Sequence, residues 1–179
     1  MPIFAILSLI SVAVFLFTGT FVYYRNPKSL LHRTFLAIYL FMSLWAFSEF
    51  MYRQAEGLQA AHLWVRVRNA SWPYPVSFML YFTLAFTERT NLLRSKTILL
   101  AIFAPACVFS LVGLTTDLIT ASPIREFWGH SYGIPGNPWA YLAACVWTAA
   151  LTSCVPFCPF NILLPRPIRL RNCRPNLSL

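Results

Sequence analysis

Five stretches of this chain contain no Asp, Glu, Lys or Arg: Met1–Tyr24, Thr34–Ser48, Asn69–Thr87, Thr97–Thr116 and Phe127–Pro165. A helix needs about 20 mostly apolar residues to cross the roughly 30 Å core of a bilayer. Runs of this length predict an all-α, polytopic membrane helix bundle of about five transmembrane helices. Composition agrees, since only 11% of residues are charged and 58% are hydrophobic. A soluble domain carries about a quarter charged residues. A water-soluble fold of 179 residues could not place so much Leu, Phe and Trp in one core; lipid removes that constraint.

The basic residues give the bundle a direction. The predicted spans are roughly 3–24, 31–52, 65–87, 97–114 and 138–155. With the N-terminus outside, the inner loops hold Arg25, Lys28, Arg33, Arg89, Arg94 and Lys96, and the tail holds Arg166, Arg169, Arg171 and Arg174. The outer side holds Arg53, Arg66, Arg68 and Arg125. The Lys/Arg bias sets orientation, so the chain is expected to lie N-outside and C-inside as a multi-pass protein of the cell membrane. Its lipid partner is then the bilayer. A net charge of +9 would suggest nucleic acid in a soluble protein. Here no polar domain carries the charge, and no nucleic-acid partner is expected. No positive segment precedes the first apolar run, which therefore reads as an uncleaved anchor rather than a signal peptide.

Residues 1–155 read as one membrane-embedded domain. Kinks are expected at Trp72-Pro73-Tyr74-Pro75, Pro105 and Gly113. Residues 115–138 form the longest outer segment, either a lid or a solvated connector, with Asp117, Arg125, Glu126, Trp128, His130 and Tyr132. From Pro156 to Leu179 prolines alternate with arginines, and proline at that density is expected to end the helix. This part reads as a disordered cytoplasmic tail.

Glu49 is the first candidate for chemistry, because an acidic group inside a span is a functional hypothesis. It has two readings. It could anchor a ligand pocket that opens outward, or it could pair with Arg53 at i,i+4 near the interface. The ion pair is the preferred reading. Trp72 and Tyr74 could shape a pocket beside Glu49 or form an aromatic belt over a kink. Glu49, Arg53, Trp72 and Tyr74 are the ligand-binding candidates. Arg66 and Arg68 could draw an anionic ligand, although snorkelling to the outer surface is preferred for both.

No catalytic set is legible. His32, His62 and His130 do not stand in a phosphoacceptor context, the glycines never form G-x-G, and no G-x-x-x-x-G-K occurs. Cys107 and Cys145 lie in spans as small hydrophobes. Cys154-x-x-x-Cys158 lacks a partner pair of ligands and encloses Pro156. No metal, cofactor or disulfide framework is expected.

From the second span onward the chain resembles a known family. Arg25-Asn-Pro-Lys-Ser29, Trp45-Ala-Phe-Ser-Glu-Phe-Met-Tyr-Arg-Gln54, Trp72-Pro-Tyr-Pro75, Phe82-Thr-Leu-Ala-Phe-Thr-Glu88 and Trp128-Gly-His-Ser-Tyr-Gly-Ile-Pro135 occur in order. This set is similar to the N-terminal seven-helix membrane region of prokaryotic sensor histidine kinases, over roughly Ile3–Ala150. The resemblance implies a membrane sensor domain for signal input, with the kinase on a downstream portion. Against that pattern the chain reads as truncated after about five helices, with a homodimer or a full-length sensor kinase as possible partners. Two alternatives stay open. A small transporter or transporter subunit needs an ionisable site near the midplane and usually internal repeats, and neither is visible. A structural membrane protein needs no ligand.

Overall fold

The computed structural model describes residues 3–88, 90–119, 123–126, 129–132 and 137–163. Helix α1, Ile3–Arg25, is connected to helix α2, Leu30–Gln54, by a short turn at Asn26-Pro27. Proline cannot extend α1, and the Ser29 amide instead donates to the Asn26 carbonyl at 3.1 Å. A connection this short makes α1 and α2 antiparallel neighbours. They approach closely at Gly19, where an added Cβ would lie 2.8 Å from Tyr39 Cβ.

The expected third span is divided. Helix α3 covers Leu58–Ser71 and helix α4 covers Pro73–Phe86. Each has 14 residues, about 21 Å of helix, which is too short to cross a bilayer alone. Trp72 joins them with helical dihedrals of −65° and −28°, and its amide still reaches the Arg68 carbonyl. The break comes from Pro73 and Pro75, which supply no amide hydrogen to the ladder. Ser110 fills part of the gap by donating its hydroxyl to the Ala70 carbonyl at 2.8 Å. Side chains of this kind make breaks tolerable inside a bundle.

Helix α5, Thr90–Arg94, leads into helix α6, Lys96–Thr115. Strands β1, Pro123–Glu126, and β2, Gly129–Tyr132, pair antiparallel as a small hairpin. Helix α7 then runs Pro138–Leu163. Its start follows from local chemistry: Pro138 suits the first helical turn, and the Asn137 carboxamide oxygen accepts from the Trp139 amide at 3.0 Å. The helix continues past the expected end at 155, through Pro156 and Pro159, to Leu163. Proline removes one ladder bond without ending a helix whose remaining bonds persist. The expected disordered segment from 164 to 179 lies outside the described residues.

Among the described residues, four helices are long and apolar enough to cross a membrane: α1, α2, α6 and the Pro138–Val155 part of α7. Helix α2 packs on α1, α3 and α4, while α4 also touches α6 and α7. The inner core joins Leu80 and Leu84 of α4 to Ile102 of α6, with Leu151 and Val155 of α7 against them. Ser77 of α4 is fully buried and donates to the Ile102 carbonyl at 3.0 Å. The outer faces are also apolar: Phe17, Leu100, Leu111 and Val146 are each at least 60% exposed. In water such a surface would be costly, and in a lipid bilayer it is the expected one.

Candidate functional site

The charged residues inside the bundle converge on α2 and α3. Glu49 and Arg53 lie one turn apart on α2, and their contact follows from helix geometry alone. Arg53 Nη2 is 2.6 Å from Glu49 Oε1, and Arg53 Nε donates to the same oxygen at 2.9 Å. The second carboxylate oxygen, Oε2, lies 3.5 Å from Arg68 Nη1 on α3. The three side chains are 12%, 21% and 15% exposed, so this is an interior triad. Arg68 Nη2 also donates to Asn69 Oδ1 at 3.3 Å, and Asn69 itself is buried. The Arg53 guanidinium lies 5.4 Å from the centre of the Phe4 ring on α1.

Arg66 and Arg68 take opposite courses. Two residues in a helix of 3.6 per turn separate side chains by about 200°. Arg66 therefore reaches out to Asp117 at 3.5 Å, where His62 Nε2 also lies 3.3 Å from the carboxylate. Arg68 turns inward to Glu49. The expectation that Arg68 snorkels to the surface is corrected: α3 packs on α2, and a carboxylate stands within its reach. The preference for snorkelling holds better for Arg66, which is 36% exposed.

Two cavities flank Arg68 and Trp45, which line both. The smaller, about 340 Å³, lies along α1 and α2, with Phe4, Leu7, Phe15, Glu49 and Arg53 in its wall. The larger, about 550 Å³, lies between α2, α3 and α7, with Asn69, Trp72, Ile119, Ala144 and Thr148 in its wall. Volumes of about 300–1,000 Å³ with mainly apolar walls and few polar groups are typical of small-molecule sites.

The four sequence candidates do not share one cavity. Glu49 and Arg53 line the smaller one. Trp72 lines the larger one and forms an aromatic cluster with Phe109 of α6 at 6.4 Å and Trp147 of α7 at 6.2 Å. Tyr74, two residues further, faces the other way and stacks on Phe41 of α2 with centroids 4.5 Å apart. Trp45, Arg68 and Asn69 were missing from that set. Arg68 alone carried a signal, a charge beside an apolar run; nothing local distinguishes Trp45 or Asn69 from lining residues.

The hairpin caps one end of α2. Tyr52 is fully buried and donates its hydroxyl to the Ser131 carbonyl at 2.5 Å. His130 is buried beside it, with ring centres 5.9 Å apart. Of the two readings of the outer segment, hairpin residues 129–132 thus behave as an attached cover. Among the described residues no cluster of His, Cys, Asp or Glu is arranged to hold a metal.

Long apolar helices, lipid-compatible outer faces and an interior charged triad define an integral membrane protein. Its sequence matches the description "N-terminal 7TM region of histidine kinase" over residues 7–164, and the chain belongs to that family. The resemblance carried by Trp45–Gln54 and the later motifs is thereby borne out. Comparison with curated proteins gives no match, and comparison with solved structures gives none.

Proposed function

We propose that this bundle is a membrane-embedded signal-input domain of a two-component system, multi-pass in the cell membrane, N-outside and C-inside. The family match over residues 7–164 is the observation that carries this reading. Input regions of this kind are not catalytic, so phosphotransfer belongs to a kinase part outside these residues, reached through association with a full-length sensor kinase. The Glu49–Arg53–Arg68 triad supports a sensing role, because it joins α2 to α3 through charges whose balance a bound ligand can alter. Glu49 and Arg53 in one cavity and Trp72 in the other are the residues proposed to report ligand, and Tyr74, facing away from Trp72, holds α4 to α2.

Co-expression with a tagged full-length histidine kinase carrying the same N-terminal region tests the association. Detergent extracts should yield both chains together, and recovery of the chain alone counts against the proposal. Alkaline phosphatase fused at Glu56 should be active and at Lys28 inactive; the reverse pattern overturns the orientation.

A further inference from the structure

We propose that the β1–β2 hairpin is an acid-released latch: a proton taken up by the buried His130 detaches the hairpin from the end of α2. The proposal rests on the input-domain reading for its outward position and its signalling consequence, while the release itself is a property of this chain.

Three observations carry it. The first is the burial of His130. It is turned inward, only 4% exposed, against the ring of Tyr52. Its Nδ1 is buried and has no hydrogen-bond partner among the described residues. A neutral imidazole offers one donor and one acceptor, whereas the cation carries a hydrogen on both nitrogens. Protonation in place therefore buries a charge and gives Nδ1 a hydrogen with no described acceptor. Both are costly in an interior and cost nothing once the ring reaches water.

The second observation is the surrounding charge. The hairpin packs on α2 and α3. At that end α2 carries Glu49, Tyr52 and Arg53, and α3 carries His62, Arg66 and Arg68. Glu49 is engaged by Arg53 and Arg68, and Asp117 by His62 and Arg66. Glu56, between the two helices, is exposed. Among the described residues no carboxylate forms an ion pair with His130. On the hairpin, Arg125 stands directly opposite His130 and so projects from the same face. Like charges directly opposite are destabilising. Glu126 stands opposite Gly129 and projects from the other face.

The third is what His130 adjoins. The next residue, Ser131, supplies the carbonyl that accepts from the Tyr52 hydroxyl at 2.5 Å. Expulsion of His130 therefore pulls on the bond that fastens the hairpin to α2. Arg53 follows Tyr52 in the chain, so release alters the surroundings of the triad that joins α2 to α3. Histidine changes its charge between about pH 5 and 8. The released state binds the proton better, so release grows as pH falls.

The test is hydrogen exchange of the purified chain in detergent at about pH 7.5 and about pH 5, corrected for the intrinsic pH dependence of exchange. The ratio of released to attached hairpin should rise by up to about 30-fold, the factor by which an imidazole titrating near pH 6.5 favours the state that takes its proton. The rise should be confined to 123–126 and 129–132, with the middle of α2 unchanged. His130→Phe keeps a ring and cannot titrate; His130→Gln is a second variant that cannot titrate. At least one of them should hold the hairpin attached in acid. His62→Gln should release as the wild type does, and Tyr52→Phe should release at higher pH. Equal protection of the wild-type hairpin at both pH values overturns the proposal. So does acid release in both His130 variants, a hairpin already detached in both at neutral pH, or loss of the acid response in His62→Gln. Acid release that leaves autophosphorylation of the associated kinase unchanged keeps the latch and counts against the input-domain reading. Acid-dependent autophosphorylation without hairpin release keeps that reading and overturns the latch.

Discussion

Tyr52 of α2 and Ser131 of β2 are 79 positions apart, and the phenol hydroxyl of the first donates to the carbonyl of the second at 2.5 Å. This bond fastens the hairpin to a helix that ends two residues beyond Tyr52. Tyr52→Phe keeps the ring and removes the bond, at a cost of about 0.5–1.5 kcal/mol. The expected outcome in hydrogen exchange is faster exchange at residues 123–132, with protection of the middle of α2 unchanged. Uniform loss of protection over the whole bundle would show that the bond is not local to the hairpin.

Gly113 of α6 sits against α3. A Cβ at Gly113 would lie 2.8 Å from Asn69 Cβ and 3.2 Å from the Asn69 carbonyl oxygen. Backbone cannot yield as a flexible side-chain tip can, so Gly113→Ala should destabilise the bundle by about 1–3 kcal/mol. Gly57→Ala is the control: nothing lies within 4 Å of its added Cβ, and because Gly57 is the N-cap of α3 only the loss of that cap preference is expected, about 0.5–1 kcal/mol. Thermal denaturation in detergent compares the two, and a loss in Gly113→Ala no larger than in Gly57→Ala would refute the close packing.

Glu49→Gln leaves Arg53 and Arg68 without their shared carboxylate. Hydrogen bonds to charged groups are worth about 1.5–3 kcal/mol, and a loss in that range is expected in the same denaturation assay. An exposed pair would contribute about 0–1 kcal/mol. Groups in direct contact do not act additively, so the double variant Glu49→Gln, Arg68→Gln should lose less than the two single losses combined. Strict additivity would place the two residues out of contact.

Ser77 and Ser110 each donate to a carbonyl of a neighbouring helix, Ile102 and Ala70 respectively. Interhelical bonds of this kind average about 0.6 kcal/mol inside membranes. Ser77→Ala and Ser110→Ala should each lower stability by about that amount. Ser110→Ala should also raise exchange near Trp72, because the Ala70 carbonyl lies beside the proline break. A stability change without any local effect at Trp72 would count against a role for Ser110 in holding that break.

Charge-free length is a property of the chain read in one dimension, and it located α1, α2, α6 and the first part of α7 to within a few residues. The Glu49–Arg53 pair was legible for a similar reason: an i,i+4 spacing brings two side chains together whatever else the helix touches. The kink at Trp72 followed from two prolines without amide hydrogens. It was not legible that the kink would yield two helices packed on different neighbours.

Which way each helix turns about its axis came only from the tertiary structure. A soluble helix shows its inner face by an apolar stripe, but a helix in lipid can be apolar all round and carry no such mark. Arg66 and Arg68 lie on opposite faces by geometry, yet nothing near them in sequence says which one meets a carboxylate. Packing of α3 against α2 gave Glu49 to Arg68 and left Asp117 to Arg66. The same packing set Trp72 toward α6 and α7 and Tyr74 toward α2. Length and apolarity along the chain are enough to place a membrane bundle and the course of its helices. The cavities and the charged triad depend on packing, because both exist only where separate helices meet.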